Sequence, residues 1–194
     1  RHTISDRDWS SDVCSSDLRK NLDQNAKQAA LELLKEEEII DIIDKLPFDG
    51  EETIVAFGDS STEDRQGWFS ILEHVLSISF ENASFNFINS GVAYNTTSEA
   101  LKRFDRDVFL HEPDWVLVSL GTFDAQRLNV AQDRTLVPLS ETWENLNTIH
   151  ELLNDRMENP TLWVTPTPVI SELLSTNPMY EFTIDNADLE QILQ

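Results

Sequence analysis

From residue 53 onward, short apolar runs alternate with longer amphipathic stretches, and this alternation limits the chain to a narrow set of folds. Thr53-Ile54-Val55-Ala56-Phe57 is an apolar, β-branched run closed by Gly58, the pattern of a strand buried on both faces. A helix is predicted around 66–79, where Trp68, Phe69, Leu72, Val75 and Leu76 recur at helical spacing. A strand at 85–89, a helix over 97–111 and a second buried strand at 115–120 follow. Beyond a polar loop the pattern gives a helix over 140–157, a strand opening at Leu162-Trp163-Val164, and a last helix over 185–193. Strands alternating with helices imply right-handed βαβ crossovers, so the expected class is α/β, three αβα layers around a parallel sheet. Functional groups then belong just past the carboxyl ends of the strands.

The chain has 194 residues, 40% of them hydrophobic, which suffices for one core of this kind. Residues 23–46 read as a single amphipathic helix through Ala26, Ala30, Leu33, Leu34, Ile40 and Ile43, stopped by Pro47 and Gly50. No window reaches the roughly 18 apolar residues of a membrane span. With 14 basic against 36 acidic side chains the formal charge is −22, which repels phosphate backbones and anionic lipid and argues against nucleic acid as a partner.

The first 18 residues fit none of this. Asp8-Trp9-Ser10-Ser11-Asp12-Val13-Cys14-Ser15-Ser16-Asp17-Leu18 resembles a translated short-read sequencing adapter, and such a segment is set aside before the fold is read. Without it, 12 basic and 32 acidic residues remain and the one cysteine, Cys14, is gone, so neither thiol chemistry nor a disulfide framework is expected. The expected organisation is therefore an adapter-derived segment at 1–18, an amphipathic helix and linker at 19–50, and a main domain at 51–194.

Four strand exits carry small, hydroxylated and amide side chains. They are Gly58-Asp59-Ser60-Ser61-Thr62, Asn89-Ser90-Gly91-Val92-Ala93-Tyr94-Asn95-Thr96-Thr97, Gly121-Thr122-Phe123-Asp124 and Thr165-Pro166-Thr167-Pro168. In this order and spacing they resemble the SGNH hydrolases, the GDSL esterase/lipase superfamily, over residues 50–194. Glu112-Pro113-Asp114-Trp115-Val116 and the stretch from Thr135 to Thr142 are similar to one bacterial branch of it. The resemblance implies a flavodoxin-like fold, here incomplete at the C-terminus, and a serine esterase needing no cofactor.

The resemblance makes Ser60 the nucleophile, with a histidine as its base and an aspartate orienting that histidine. The family builds its oxyanion hole from the nucleophile's amide, a glycine amide in the second loop and an asparagine side chain in the third. By position these become Ser60, Tyr94 and Phe123. Tyrosine resists the positive φ that glycine accepts, and phenylalanine has no donor. The Asn95 amide, the Asn89 amide or the Tyr94 hydroxyl could fill the place; spacing leaves all three open. A plainer alternative has Tyr94 and Phe123 packed together as an aromatic lid. Asp59 is expected to hold the nucleophile turn, Asp124 to anchor the third loop, and Asn89, Gly91, Asn95 and Gly121 to support them.

Besides His2 of the adapter-like segment, the histidines are His74, His111 and His150, and none stands in an Asp-x-x-His setting. On the resemblance the chain stops at Gln194 before the family's final strand and histidine loop, so by itself it is expected to be inactive. The reading is an ester hydrolase acting on a small neutral acyl ester, a carbohydrate O-acetyl group or a short-chain lipid ester. A catalytically weakened binding module of the same fold is the alternative. A nucleotide-binding domain is disfavoured because the first exit lacks a glycine-rich phosphate loop, and no metal-ligand spacing is present.

Overall fold

The structure is a computed structural model and describes residues 8–176 and 180–193. The adapter-like segment is thus seen from Asp8 only, with residues 1–7 outside the described residues. The chain forms two compact units, one from the described part of Arg1–Gly50 with Asp64–Ala83, the other from Glu51–Glu63 with the described part of Ser84–Gln194.

In the first unit, α1 (Asp8–Leu33), α2 (Glu37–Ile43) and α4 (Trp68–Ser79) gather Ala30, Ile43 and Val75 into a small core, joined by Leu34, Ile39, Leu46, Ile71 and Phe80. The single helix expected over 23–46 is two helices. The last amides of α1 tighten to three-residue bonds, Lys35 N–H to Glu32 O and Glu36 N–H to Leu33 O. The acidic run then starts a fresh helix with Glu37 and Glu38 in its first turn, where the helix dipole favours negative charge. The break lets Ile39 and Ile43 fold back onto Ala30 and Val75.

The second unit is mixed α/β. Strands β1 (Thr53–Gly58), β2 (Asn86–Gly91), β3 (Trp115–Ser119) and β5 (Leu162–Trp163) form a sheet in the order β2-β1-β3-β5, and every pairing is parallel. The two central strands are buried along nearly their whole length, as their continuous apolar sequences require. On one face, Val55 and Phe57 of β1 and Val116 and Val118 of β3 meet two helices, α5 (Thr97–Asp107) and α6 (Leu139–Arg156). Those helices contribute Ala100, Phe104, Ile149 and Leu153, and Phe57 meets Phe104 edge-on at 5.1 Å. Each of the larger side chains among these, the valines, phenylalanines, Ile149 and Leu153, stabilises the fold by roughly 1.5–3 kcal/mol. A capping box starts α5: the Thr96 hydroxyl accepts from Glu99 N–H while the Glu99 carboxylate accepts from Thr96 N–H.

Short elements complete the unit: α3 (Ser60–Glu63), a 3₁₀ turn (Phe109–His111), α7 (Ser171–Thr176), α8 (Asn186–Ile192), and the antiparallel pair β4 (Gln126–Leu128) and β6 (Phe182–Ile184). Ala125, Ile184 and Leu189 pack beneath that pair, and Arg127 grips Asp188 through two bonds of 2.7 and 2.9 Å. Among the described residues no helix is long and apolar enough to cross a membrane.

Candidate active site

The four strand exits stand at one end of the sheet because all four strands are parallel. At the first, the absence of a side chain on Gly58 and Gly91 lets the α3 turn sit directly on the strand tips. A Cβ on Gly58 would lie 2.0 Å from Thr62 Oγ1 and 2.7 Å from Ser119 O, and one on Gly91 only 2.3 Å from Glu63 N. Ser60 opens α3 and is half-buried. Asp59 before it is fully buried; its Oδ1 accepts from the Ser61 amide and the Ser61 hydroxyl, both at 3.0 Å. Its own N–H donates to Ser119 O on the neighbouring strand.

Burial pushes the Asp59 carboxyl above the usual carboxylate range, against the pull of the Ser61 hydrogen bonds. The folded state therefore holds its proton more tightly than the unfolded chain. That contribution is complete below the ordinary carboxylate value and is lost as pH rises through the raised one. Asp59→Asn cannot ionise, so in urea melts across this window its stability should gain on the wild type as pH rises. A constant difference would show that Asp59 ionises without cost.

The second exit delivers a backbone donor. Tyr94 adopts φ 60°, the left-handed conformation glycine would take freely, and its N–H donates to Ser60 Oγ at 2.7 Å. Of the three groups expected as substitute oxyanion donors, the two amides are engaged elsewhere. Asn89 Nδ2 donates to Thr62 O at 2.7 Å while its Oδ1 accepts from Gly91 N–H. Asn95 Nδ2 faces Glu99 at 3.4 Å. Burial raises the pKa of the Tyr94 hydroxyl, with the neighbouring Tyr180 adding to the rise.

At the third exit Gly121 has φ 111° and turns the chain so that Asp124 points inward. Asp124 is buried and accepts from Thr97 N–H at 2.9 Å, from the Thr97 hydroxyl, and from the Thr142 hydroxyl at 3.1 Å. It joins the third loop to the start of α5 and to the first turn of α6. Burial raises its carboxyl above the ordinary range, opposed by the threonine hydrogen bonds. Phe123 is also buried. Its ring meets Tyr94 edge-on at 5.3 Å, and both rings lie 6.3 Å from Phe182. The position where a side-chain amide was sought is filled by an aromatic cluster.

No histidine among the described residues is hydrogen-bonded to Ser60. His74 pairs with Asp23 through Nε2 at 3.1 Å within the first unit. His111 is exposed and precedes β3, at the end of the sheet away from the exits. His150 lies eleven residues into α6, about 16 Å from its start, bonded to Asn154. Among the described residues no cluster of three His, Cys, Asp or Glu could hold a metal ion.

Sequence reasoning passed over Arg103. It is buried in α5 and bonded to Gly58 O, Ser90 O, Asn95 Oδ1 and Asp107. The signal was there: position 103 lies beside Ala100 and Phe104, on the helix face that also enters the core.

A model of the GDSL-like lipase/acylhydrolase family matches residues 56–192. The chain belongs to that family. As a GDSL-like family member it also has the expected structural neighbours. A lipase/acylhydrolase from Enterococcus faecalis is 22% identical with a TM-score of 0.56, covering 73% of this chain and 67% of that one. A point mutant of an acetyl-xylooligosaccharide esterase from Geobacillus stearothermophilus is 19% identical with a TM-score of 0.55, covering 76% and 74%. Both carry the fold. The uncharacterized lipoprotein YqeF of Bacillus subtilis is 32% identical over 95 residues, 44% of this chain and 37% of that protein. The match thus spans just over a third of the curated relative's length.

Proposed function

We propose that this GDSL-like family member is a serine ester hydrolase, with Ser60 as the nucleophile, acting on small neutral acyl esters. The observation that carries the reading is the Tyr94 N–H aimed at Ser60 Oγ, 2.7 Å away. A tyrosine held at positive φ costs conformational energy, of order 1 kcal/mol or more, and here that conformation aims a donor at a serine hydroxyl. When Oγ bonds to the ester carbonyl carbon, the carbonyl oxygen takes up the electron pair of its π bond. Tyr94 N–H and Ser60 N–H are the donors for that oxyanion. The serine proton passes to a general base and on to the departing alkoxide as the C–O bond breaks; water then hydrolyses the acyl-serine. The names of the structural neighbours, an acylhydrolase and an acetyl-xylooligosaccharide esterase, support ester substrates, and the acidic chain disfavours anionic ones.

A fluorophosphonate probe tests the assignment. On a version that carries the family's histidine loop, intact-mass analysis should show one adduct, absent from its Ser60→Ala form; an adduct that survives the substitution refutes Ser60. One observation favours a second reading, a weakened module of the same fold that binds acylated ligands: Phe123 offers no donor, and the neighbouring amides are engaged.

A further inference from the structure

We infer that Arg103 is a positioning residue for the nucleophile: its guanidinium sets the distance between Ser60 Oγ and the Tyr94 amide. The inference rests on the role proposed for Ser60 but is read from geometry that can be measured without turnover.

Arg103 is 8% exposed and spends its donors on three parts of the site. Nη2 donates to Gly58 O at 2.8 Å, the carbonyl two residues before Ser60. Nη1 donates to Ser90 O at 2.8 Å, next to the last residue of β2, and to Asp107 Oδ2 at 3.1 Å. Nε donates to Asn95 Oδ1 at 2.7 Å, the side chain adjacent to Tyr94. The plane is braced by Phe57, whose ring centroid lies 4.4 Å from Cζ. One rigid fork thus fixes the exit of β1, the exit of β2 and the residue after the donor. The Ser60–Tyr94 bond closes that same circuit on its far side.

The role follows from shape more than from charge. A lysine would keep the cation near Asp107, but an ammonium on a flexible stem cannot hold fixed bonds to Gly58 O, Ser90 O and Asn95 together. A residue that merely filled the core would lower stability everywhere when replaced. A positioning residue should loosen Tyr94 selectively.

The test is amide NMR on the whole chain, with Ser60→Ala defining the Tyr94 amide signal when its acceptor is gone. In Arg103→Lys the Tyr94 proton should move most of the way to its Ser60→Ala position. Its exchange should quicken about tenfold, the size of one lost hydrogen bond, while the Val118 and Ile149 amides keep their protection. Asn95→Ala cuts one branch only and should shift Tyr94 in the same direction by less, which decides the matter if Arg103→Lys fails to fold. A Tyr94 signal unchanged in a folded variant, or exchange that quickens equally at Tyr94, Val118 and Ile149, overturns the inference. If a version carrying the family's histidine loop takes no phosphonate label while the chain shows the expected Tyr94 shifts, the proposed chemistry falls and the positioning stands.

Discussion

In a version that carries the family's histidine loop, Phe123→Asn is expected to raise the second-order rate of Ser60 phosphonylation by about two to three orders of magnitude. The oxygen that develops charge during attack on a phosphonate or an ester needs donors aligned in advance, and each is worth about 10²–10³ in rate. In the proposed oxyanion hole Ser60 and Tyr94 would supply two backbone amides; Phe123 supplies none, and the Asn89 and Asn95 amides serve the chain's own network. Phe123→Leu, which removes the ring without adding a donor, should leave the rate close to wild type. Both variants disturb the contacts to Tyr94 and Phe182 and should lose about 1–3 kcal/mol of stability by urea titration. If asparagine brings no acceleration, a third donor is already present and the weakened-module reading falls.

Asp124→Ala should cost about 3 kcal/mol or more of unfolding free energy and, in a version that carries the histidine loop, suppress labelling of Ser60 as well. The carboxylate is the shared acceptor of one backbone amide and two hydroxyls; its removal strands buried donors, each worth roughly 1–3 kcal/mol. Thr97, the first residue of α5, would lose its tether, and with it the loop that carries Tyr94. Asp124→Asn should be milder, since an amide can still accept on one oxygen while the Thr142 hydroxyl turns to Pro138 O, already within 3.3 Å. Equal losses in the two variants would mean that the charge, not the acceptor geometry, holds the loops together.

Much of the frame was legible because each main element carries its own signal. The run from Thr53 to Gly58, the helical spacing around Val75 and the apolar stretch at 115–120 lie where the structure places β1, α4 and β3. The expected parallel sheet is present, and the family resemblance built on the strand exits agrees with the family match over 56–192. Elements shorter than a turn or two were not legible. β4 and β6 have three residues each, too few to show an alternation, and exist because distant segments meet. The break between α1 and α2 was hidden in a continuous apolar stripe; tertiary packing of Ile43 against Ala30 decided it. Tyr94 stood out as a strained choice for its position, and the structure holds it at the positive φ that glycine would accept freely. Arg103 went unnoticed because a guanidinium declares its purpose only when the carbonyls it serves are brought together from β1 and β2.

A sheet whose strands all run one way has a working rim and a quiet rim. Glu158, exposed in the turn between α6 and β5, lies on the quiet one. A dye, a surface linker or a fused reporter attached there would hold the molecule by its blunt side and leave the end of the sheet that carries Ser60 uncovered.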